Sequence, residues 1–504
     1  MANRSQEFLA GPLPQIALVL LLATGGGLIV AQTSIGISLG ATVLLLVLLA
    51  SFLNTEIALH IILLSMLLSP EIVVGGVGGI SIGKPEVKGD VLVLRIEDLV
   101  LVAVALAWFA RTALFKELGL VRKSRLNTAI FAYIVSLVLA TLLGVLLGNV
   151  RPVRGFFFIL KYIEYFVVFF MAVNYIQEER QLGRLLATAF LTCGISAVMG
   201  IAQIPSGERV AAPFEGKWGE PNTFGGYLVF MLGPILGQAL SARTMTRQLG
   251  WFAFAGLTAL PLLYTLSRSS WLAAIPMLLT LIVFSPRRLF LMIGLGTVVV
   301  LGPLAFPKQV ADRYNYTFHE KADRGEYRIG DTRLDLSTSA RLDSWRQGIE
   351  GWTKRPLLGY GVTGFAFMDA QFVRILVEAG LVGLAAFLLL LWRTFRVAWD
   401  AYRRAVGSRF EGLTMGYLAG LIAMITHGLG ANTFIIVRIM EPFWFMTGVI
   451  TILPVLLAKQ ELQDVAIRLG AWNRSHEESV AGGISSSRER QLPATPQPEP
   501  GKTE

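Results

Sequence analysis

Long apolar segments recur along almost the whole chain, and each is close in length to a membrane-crossing helix. A helix needs about 20 mostly apolar residues to cross the hydrocarbon core of a bilayer. Segments of this kind recur from residue 14 to residue 458, without the strand-type alternation of a membrane barrel. The mean hydropathy is +0.61 and 15% of residues are charged, whereas a soluble domain carries roughly 25% charged residues. The sequence therefore predicts an all-α fold, a polytopic membrane helical bundle.

We predict about 12–14 transmembrane helices in this bundle. Residues 1–458 form the predicted transmembrane domain, and 306–371 form one long extracytoplasmic loop within it, with an amphipathic helix near 339–352. Residues 459–504 form a predicted cytoplasmic tail that is largely disordered, because its end is rich in Ser, Gly and Pro. The approximate spans are 14–31, 36–53, 55–70, 96–114, 126–148, 152–175, 184–205, 223–241, 249–266, 269–285, 288–305, 372–392, 411–429 and 434–458.

The loops between these spans show a consistent charge asymmetry. Lys and Arg accumulate on the cytoplasmic side of membrane proteins. The strongest basic loops are 111–125 and 392–409, and weaker ones are 241–248 and 285–290. Counting spans forward puts all four on one side, together with both termini. We therefore predict a multi-pass protein with both termini in the cytoplasm. The net charge of +10 lies mostly in such loops, which argues against a nucleic-acid partner.

Several arginines lie on the opposite, outer side, against this charge bias. A guanidinium binds two oxygens of a diphosphate at once and keeps its charge. For any single arginine, snorkelling towards lipid headgroups or a structural ion pair explains it at least as well. A group of them favours an anion-binding site, and its candidate members are Arg151, Arg154, Arg268, Arg341 and Arg346.

Three further residues on this side are candidates for acid–base chemistry. Asp369 comes just before a span and has no charged partner nearby in sequence, which favours it as a general base. Glu378 lies inside the span, where a carboxylate is costly, but Arg374 at i−4 can neutralise it. His427 lies near the outer end of its span; a lone histidine is more often a satisfied core residue, and we retain it as a second candidate.

Known nucleotide and metal motifs do not occur in the sequence. It contains no Walker motif, no GxGxxG after a strand, no HExxH and no paired CxxC. The single cysteine, Cys193, lies in an apolar run and reads as a small packed side chain. We predict no cofactor and no metal site.

Five segments together resemble the O-antigen ligase/O-antigen polymerase family of bacterial membrane glycosyltransferases. The resemblance is best from about residue 150 to 450. It is carried by a tyrosine-rich span, an outer loop with Pro-Asn, a Ser-Arg-Ser signature, a long external loop and the helix that follows. These segments read FILKYIEYFVVFFMAVNYI, RVAAPFEGKWGEPNTFGGYL, LYTLSRSSWLAA, ARLDSWRQGIEGWTKRPLLGYGVTGF and DAQFVRILVEAGLVGL.

The resemblance implies an enzyme that transfers a glycan from a polyprenyl-diphosphate carrier to a saccharide or lipid-linked saccharide acceptor. The reaction would take place at the outer face of the bacterial cytoplasmic membrane, among membrane lipids and without a nucleotide sugar, in cell-surface polysaccharide biosynthesis. An O-antigen or exopolysaccharide polymerase of the same family is the alternative, and a peptidoglycan-type glycosyltransferase stays open. A secondary transporter or a lipid-linked oligosaccharide flippase is the alternative from another class.

The resemblance also implies residue roles. Ligases of the family often carry His-Asn nine residues before the Glu, where this chain has Asp369 and Ala370. Asp369 would then act as the base, with His427 as the alternative. The predicted diphosphate ligands are Arg268 and Arg341, helped by Arg346, Arg151 and Arg154, and the predicted outer pocket is shaped by Arg209, Asn222 and Glu378.

Overall fold

The computed structural model divides into two compact units, Met1–Leu453 and Pro454–Glu504, and the division falls within the last helix. The residues that the structure describes are 35–69, 71–74, 81–82, 92–115, 123–214, 219–289, 291–294, 296, 308–312, 324–329, 332–366 and 368–489.

Helices make up most of the described chain. In chain order they are α1 (Ile35–Leu53), α2 (Thr55–Leu68), α3 (Ile96–Phe115), α4 (Asn127–Leu146), α5 (Pro152–Tyr175), α6 (Glu179–Gln203), α7 (Pro221–Ser241), α8 (Met245–Tyr264), α9 (Arg268–Phe284), α10 (Leu336–Lys354), α11 (Gln371–Ala405), α12 (Glu411–Gly430) and α13 (Val437–Glu489). Single 3₁₀ turns follow α6 at Ile204–Ser206 and precede α13 at Thr433–Ile435.

The lengths and compositions of these helices confirm the predicted fold class. Within the described residues, seven helices are long and apolar enough to cross a membrane, namely α4, α5, α6, α7, α11, α12 and α13. Shorter apolar helices lie at Thr42–Leu53, Thr55–Leu68 and Arg268–Phe284. The predicted span at 14–31 lies outside the described residues, as does most of the span at 288–305.

Short strands interrupt the helices at two places where the sequence predicted none. β1 (Glu71–Val74) pairs antiparallel with β2 (Ser81–Ile82) and β3 (Leu92–Arg95), with Ile72 opposite Leu94. β4 (Arg324–Ile329) and β5 (Thr332–Asp335) form a hairpin in the predicted long loop. The strands of both sheets are too short to give a clear alternating pattern, and the glycines and charged residues near them are typical of loops.

The basic loops meet at one end of the bundle. Arg243 Nη2 donates to the carbonyl of Gly407 over 2.7 Å, which joins the loop after α7 to the loop after α11. Arg287 Nη2 donates to the carbonyl at the end of α7 over 3.1 Å. Arg125, before α4, pairs with Asp400 of α11. The four basic loops therefore share one end of the bundle, as the count of spans requires.

α7 and α12 pack together along a stripe of glycines. Gly233 and Gly237 of α7 face Gly412, Gly416 and Gly420 of α12, so that the two backbones touch. Small residues at spacings of four allow this close approach between membrane helices, where packing rather than water exclusion drives association. The pattern is readable in the sequence as GPILG and GYLAG, and it was not recognised there.

Replacing Gly416 with valine is expected to destabilise the protein by about 3 kcal/mol or more. A Cβ at this position would lie 2.5 Å from Pro234 Cα and 2.8 Å from Gly233 C, and backbone atoms have no rotamer through which to move away. The matched control is Gly256→Val on α8, where no described atom outside the adjacent backbone of its own helix lies within 4 Å of the added Cβ. Thermal unfolding of both variants in detergent micelles measures the difference. Equal losses of stability would contradict the packing argument.

The helical backbone of α11 is interrupted at Gly380, about a third of the way along the helix. Gly380 has φ 67° and ψ −165°, which no helical residue adopts and which favours glycine. The turn at 356–361 takes over the hydrogen bonds lost at the break: Tyr360 N donates to Val377 O (3.0 Å) and Gly361 N to Glu378 O (2.8 Å). The backbone N–H of Leu381 in turn donates to the carbonyl of residue 356 (2.9 Å). Broken backbone at membrane depth is tolerated where protein satisfies it in this way.

α10 lies against the start of α11. A Cβ at Gly348 would lie 2.8 Å from Met368 Sδ and from Val373 Cγ1, and Gly351 is equally close to Phe365. The range of α10, Leu336–Lys354, includes the segment near 339–352 that the sequence predicted as an amphipathic helix. At the other end of the chain, α13 continues to Glu489, where the sequence predicted a largely disordered tail from 459. The physical reason is that the segment has no proline between Pro454 and residue 489 and many helix-forming residues.

Candidate functional site

Polar side chains gather at one end of the bundle, where α9 and α11 begin and α12 ends; we call it the site end. α9 starts with the Ser-Arg-Ser signature. Ser267 caps the helix by accepting a hydrogen bond from Ser270 N (3.4 Å), and Arg268 is its first residue, half-buried. Ser269 Oγ donates to the carbonyl of Gly430 at the end of α12 (3.2 Å). The signature therefore fixes the start of α9 to the end of α12.

His427 of α12 is completely buried beside this signature. Its Nε2 lies 3.2 Å from Ser270 Oγ and its Nδ1 lies 2.7 Å from Thr433 Oγ1. Ser270 Oγ donates in turn to Ser267 Oγ (2.9 Å). A hydrogen-bonded row thus runs from Thr433 through the imidazole to the cap of α9.

Two adjacent glycines of α7 make room for this row. A Cβ at Gly226 would lie 3.0 Å from His427 Cε1, and one at Gly225 would meet Ser270. The pair belongs to the Pro-Asn segment that resembles the O-antigen ligase/polymerase family. Its reason is steric: a larger residue here would displace the histidine or the serine.

Arg341 and Asp369, which the sequence assigned to different tasks, form an ion pair. Arg341 Nη2 lies 3.3 Å from Asp369 Oδ2, and their side chains are 25% and 35% exposed. Asp369 was favoured as a base because it has no charged partner nearby in sequence; its partner comes instead from α10. Neighbouring residues connect this ion pair to His427: Asn432 contacts Met368, the residue before Asp369, and Thr433 contacts the imidazole of His427. We therefore describe Arg341, Asp369 and His427 as one cluster at the site end.

The segment between α12 and α13 forms hydrogen bonds with residues in and next to this cluster. Asn432 Nδ2 donates to the carbonyl of Met368 (2.5 Å), the residue before Asp369. Phe434 N donates to Gln371 Oε1 (2.9 Å), the first side chain of α11. Neither Asn432 nor Gln371 was identified from the sequence, because isolated amides carry no motif.

Three predicted site residues have other contacts in the structure. Arg209 donates from Nε to Thr265 O (3.0 Å) and from Nη2 to Leu266 O (3.4 Å), so it caps the carbonyl end of α8 just before the signature. Arg346 is exposed and pairs with Glu350 one turn along α10 (2.9 Å). Glu378 is buried with Arg374 at 3.2 Å.

Glu378 also supports the break in α11. Its Oε1 accepts a hydrogen bond from Thr363 N (3.0 Å), in the turn that pairs with the broken helix. These contacts support the interpretation of Glu378 as a structural residue that pairs with Arg374. Arg151 and Arg154 are exposed at the start of α5, and Asn222 is half-buried in the first turn of α7; their roles stay predictions.

A second buried charge lies near the site end, on α13. Arg438 is completely buried; its Nη2 donates to Ser69 O (2.9 Å), its Nη1 to Pro213 O (3.4 Å), and its Nε lies 3.7 Å from Glu97 Oε1. Glu97 also accepts a hydrogen bond from Ser69 Oγ (2.6 Å). An arginine inside an apolar span is a signal that the sequence contained and that was not used.

Metal binding has no support in the described part of the chain. No group of three or more His, Cys, Asp or Glu residues there is arranged to hold a metal ion.

Comparison with known proteins identifies the central part of the chain. A family model described as O-antigen ligase matches residues 253–388. The chain carries an O-antigen ligase domain. The resemblance to the O-antigen ligase/polymerase family is thereby confirmed, over a narrower range than the 150–450 read from the motifs. No curated protein matches the chain.

The O-antigen ligase domain contains part of the cluster at the site end. It includes the signature at Arg268, Arg341 and Asp369, whereas His427 and the 431–436 segment lie beyond it. Together with the seven long apolar helices, the match supports a multi-pass membrane protein of the O-antigen ligase or polymerase type.

Proposed function

We propose that this protein transfers a glycan from a polyprenyl-diphosphate carrier to a hydroxyl of a saccharide acceptor, as an O-antigen ligase. The observation that carries the proposal is the partly exposed ion pair between Arg341 and Asp369, at the site end and inside the O-antigen ligase domain. It joins a fixed cation, suited to a diphosphate, to a carboxylate, suited to accept a proton.

The reaction needs both groups. An acceptor oxygen attacks C1 of the donor sugar, the bond between C1 and the diphosphate oxygen breaks with its electron pair going to that oxygen, and the acceptor hydroxyl loses its proton. Arg341 and Arg268 stabilise the negative charge that develops on the diphosphate. When Arg341 turns to the diphosphate, Asp369 is released to take the proton. The resting ion pair thus keeps the carboxylate occupied until a donor binds.

Asp369 is the better base than His427 in this scheme. Its side chain is 35% exposed, so that a substrate can reach it. Both ring nitrogens of His427 are already engaged by partners within the protein, Ser270 and Thr433. We assign His427 to positioning the start of α9, where Arg268 lies.

We propose that the site end faces out of the cytoplasm in the bacterial inner membrane. The basic loops meet at the opposite end of the bundle, where α9 and α11 end, and basic loops favour the cytoplasm. Both termini would then be cytoplasmic. A carrier lipid would enter the site end from the bilayer, and no nucleotide sugar would be required.

The direct test is glycan transfer by the purified protein in lipid vesicles, without nucleotides. The donor is a polyprenyl-diphosphate oligosaccharide, and the acceptor is a saccharide with or without a lipid. One preformed chain moved to the acceptor indicates a ligase, and products that lengthen by one repeat at a time indicate a polymerase of the same family. Absence of any transfer by folded wild-type protein would contradict the proposal and favour a transporter or a flippase.

A further inference from the structure

Two buried amide side chains at the site end have orientations that their neighbours fix. The group of Asn432 that faces Met368 O must be the Nδ2 donor, because a carbonyl oxygen only accepts. The atom of Gln371 that faces Phe434 N must be the Oε1 acceptor, because an N–H only donates. Exchanging N and O in either amide would break these contacts, so the identity of each remaining atom is also fixed.

The remaining atoms are an acceptor, Asn432 Oδ1, and a donor, Gln371 Nε2. Among the residues that the structure describes, neither has a hydrogen-bond partner, although Asn432 is 5% exposed and Gln371 is 0% exposed. Buried polar atoms in proteins nearly always have a partner, and one without it is costly. A group from outside the chain would satisfy both.

These two amides flank the predicted base. Asn432 holds the carbonyl of the residue before Asp369, and Gln371 follows Asp369 by two positions. The ion pair of Asp369 with Arg341 is the partly exposed group of this cluster. Both amides are thus next to Asp369, Gln371 along the chain and Asn432 through its hydrogen bond to Met368.

We propose that Asn432 and Gln371 form a subsite that recognises hydroxyl groups of the saccharide acceptor; this rests on the proposed function. A sugar hydroxyl donates and accepts, so neighbouring hydroxyls can give a proton to Asn432 Oδ1 and accept one from Gln371 Nε2. An ionised diphosphate oxygen has no proton for Asn432 Oδ1, and the guanidinium of Arg341 attracts it more strongly. The subsite thus binds the acceptor, and the arginines bind the donor.

The first test replaces Gln371 with glutamate and with methionine. Glutamate keeps an oxygen for Phe434 N but turns the free donor into an acceptor, and methionine removes both functions without adding charge. We expect either change to raise the KM for the saccharide acceptor about tenfold or more, with the KM for the polyprenyl-diphosphate donor unchanged. The matched control is Gln181→Glu: Gln181 Oε1 also accepts a backbone N–H, from Gln177 (3.0 Å), but in the first turn of α6. This control is expected to leave both KM values unchanged.

The second test uses wild-type protein alone, so that it does not depend on the folding of a variant. Acceptor analogues that each lack one hydroxyl are compared with the parent saccharide. At least one analogue, other than that lacking the attacking hydroxyl, is expected to lose about tenfold or more in kcat/KM. With Gln371→Met, the difference between this analogue and the parent should disappear.

The outcomes separate the two proposals. In one outcome, wild type transfers the glycan, every such analogue is as good a substrate as the parent, and the folded Gln371 variants keep the acceptor KM of wild type. This result overturns the subsite and leaves the proposed function intact. A raised donor KM with an unchanged acceptor KM overturns it as well, since the amides would then serve the donor. Absence of transfer by wild type overturns the proposed function itself, and the subsite with it.

Discussion

Replacing Arg341 with alanine is expected to lower the rate of glycan transfer about 10²- to 10³-fold, the usual loss when one preorganised charge or donor at a developing anion is removed. Arg341 contacts Asp369 at the site end, and its guanidinium is partly exposed to an incoming diphosphate. The loss should appear mainly in kcat, because the leaving diphosphate gains its charge in the transition state. Initial rates over a range of donor concentrations measure it.

The matched control lies on the same helix. Arg346 was also predicted from the sequence as a diphosphate ligand, but in the structure it is exposed and bound to Glu350. Arg346→Ala is therefore expected to change the rate less than about threefold, in keeping with the small energies of exposed pairs. An equal effect of both substitutions would mean that the whole face of α10 binds the donor. Full activity of folded Arg341→Ala would remove the central residue of the proposed site.

The helices could be predicted from the sequence because the length and the hydropathy of an apolar segment are properties of that segment alone. The predicted span at 152–175 matches α5 residue for residue, since Pro152 starts the helix and the apolar run ends near Tyr175. The break in α11 was not predicted. It depends on Gly380 together with hydrogen bonds from a turn about twenty residues earlier, and such a long-range exchange of partners leaves no local periodicity.

The residue types of the site could be predicted better than their partners. Arg268 and Arg341 were predicted because they are positively charged residues on the side opposite to the basic loops. Asp369 was predicted because it lies just before a span. That Asp369 pairs with Arg341 follows from the packing of α10 on α11, which the sequence does not specify. Asn432 and Gln371 were missed because a neutral amide becomes informative only when its burial and its neighbours are known.

The second large effect is expected at Arg438, which was not among the site residues predicted from the sequence. Replacing Arg438 with leucine leaves Glu97, which is 1% exposed, as a buried carboxylate without its guanidinium, and takes a donor from the carbonyls of Ser69 and Pro213. Breaking a buried ion pair by removing one partner costs about 3–5 kcal/mol. The free energy of unfolding in detergent micelles should fall by that amount.

A double variant tests whether the charge left behind causes this loss. Arg438→Leu combined with Glu97→Met is expected to recover part of the stability, because two apolar side chains replace the pair and the buried carboxylate of Glu97 is removed with it. Recovery should stay incomplete, since Ser69 Oγ also loses its acceptor on Glu97. As the control, Arg184→Leu removes the exposed partner of Glu56 and should cost no more than about 1 kcal/mol. If the double variant were no more stable than Arg438→Leu, the contacts of Arg438 with the two carbonyls, rather than its charge, would be what holds α13 to these loops.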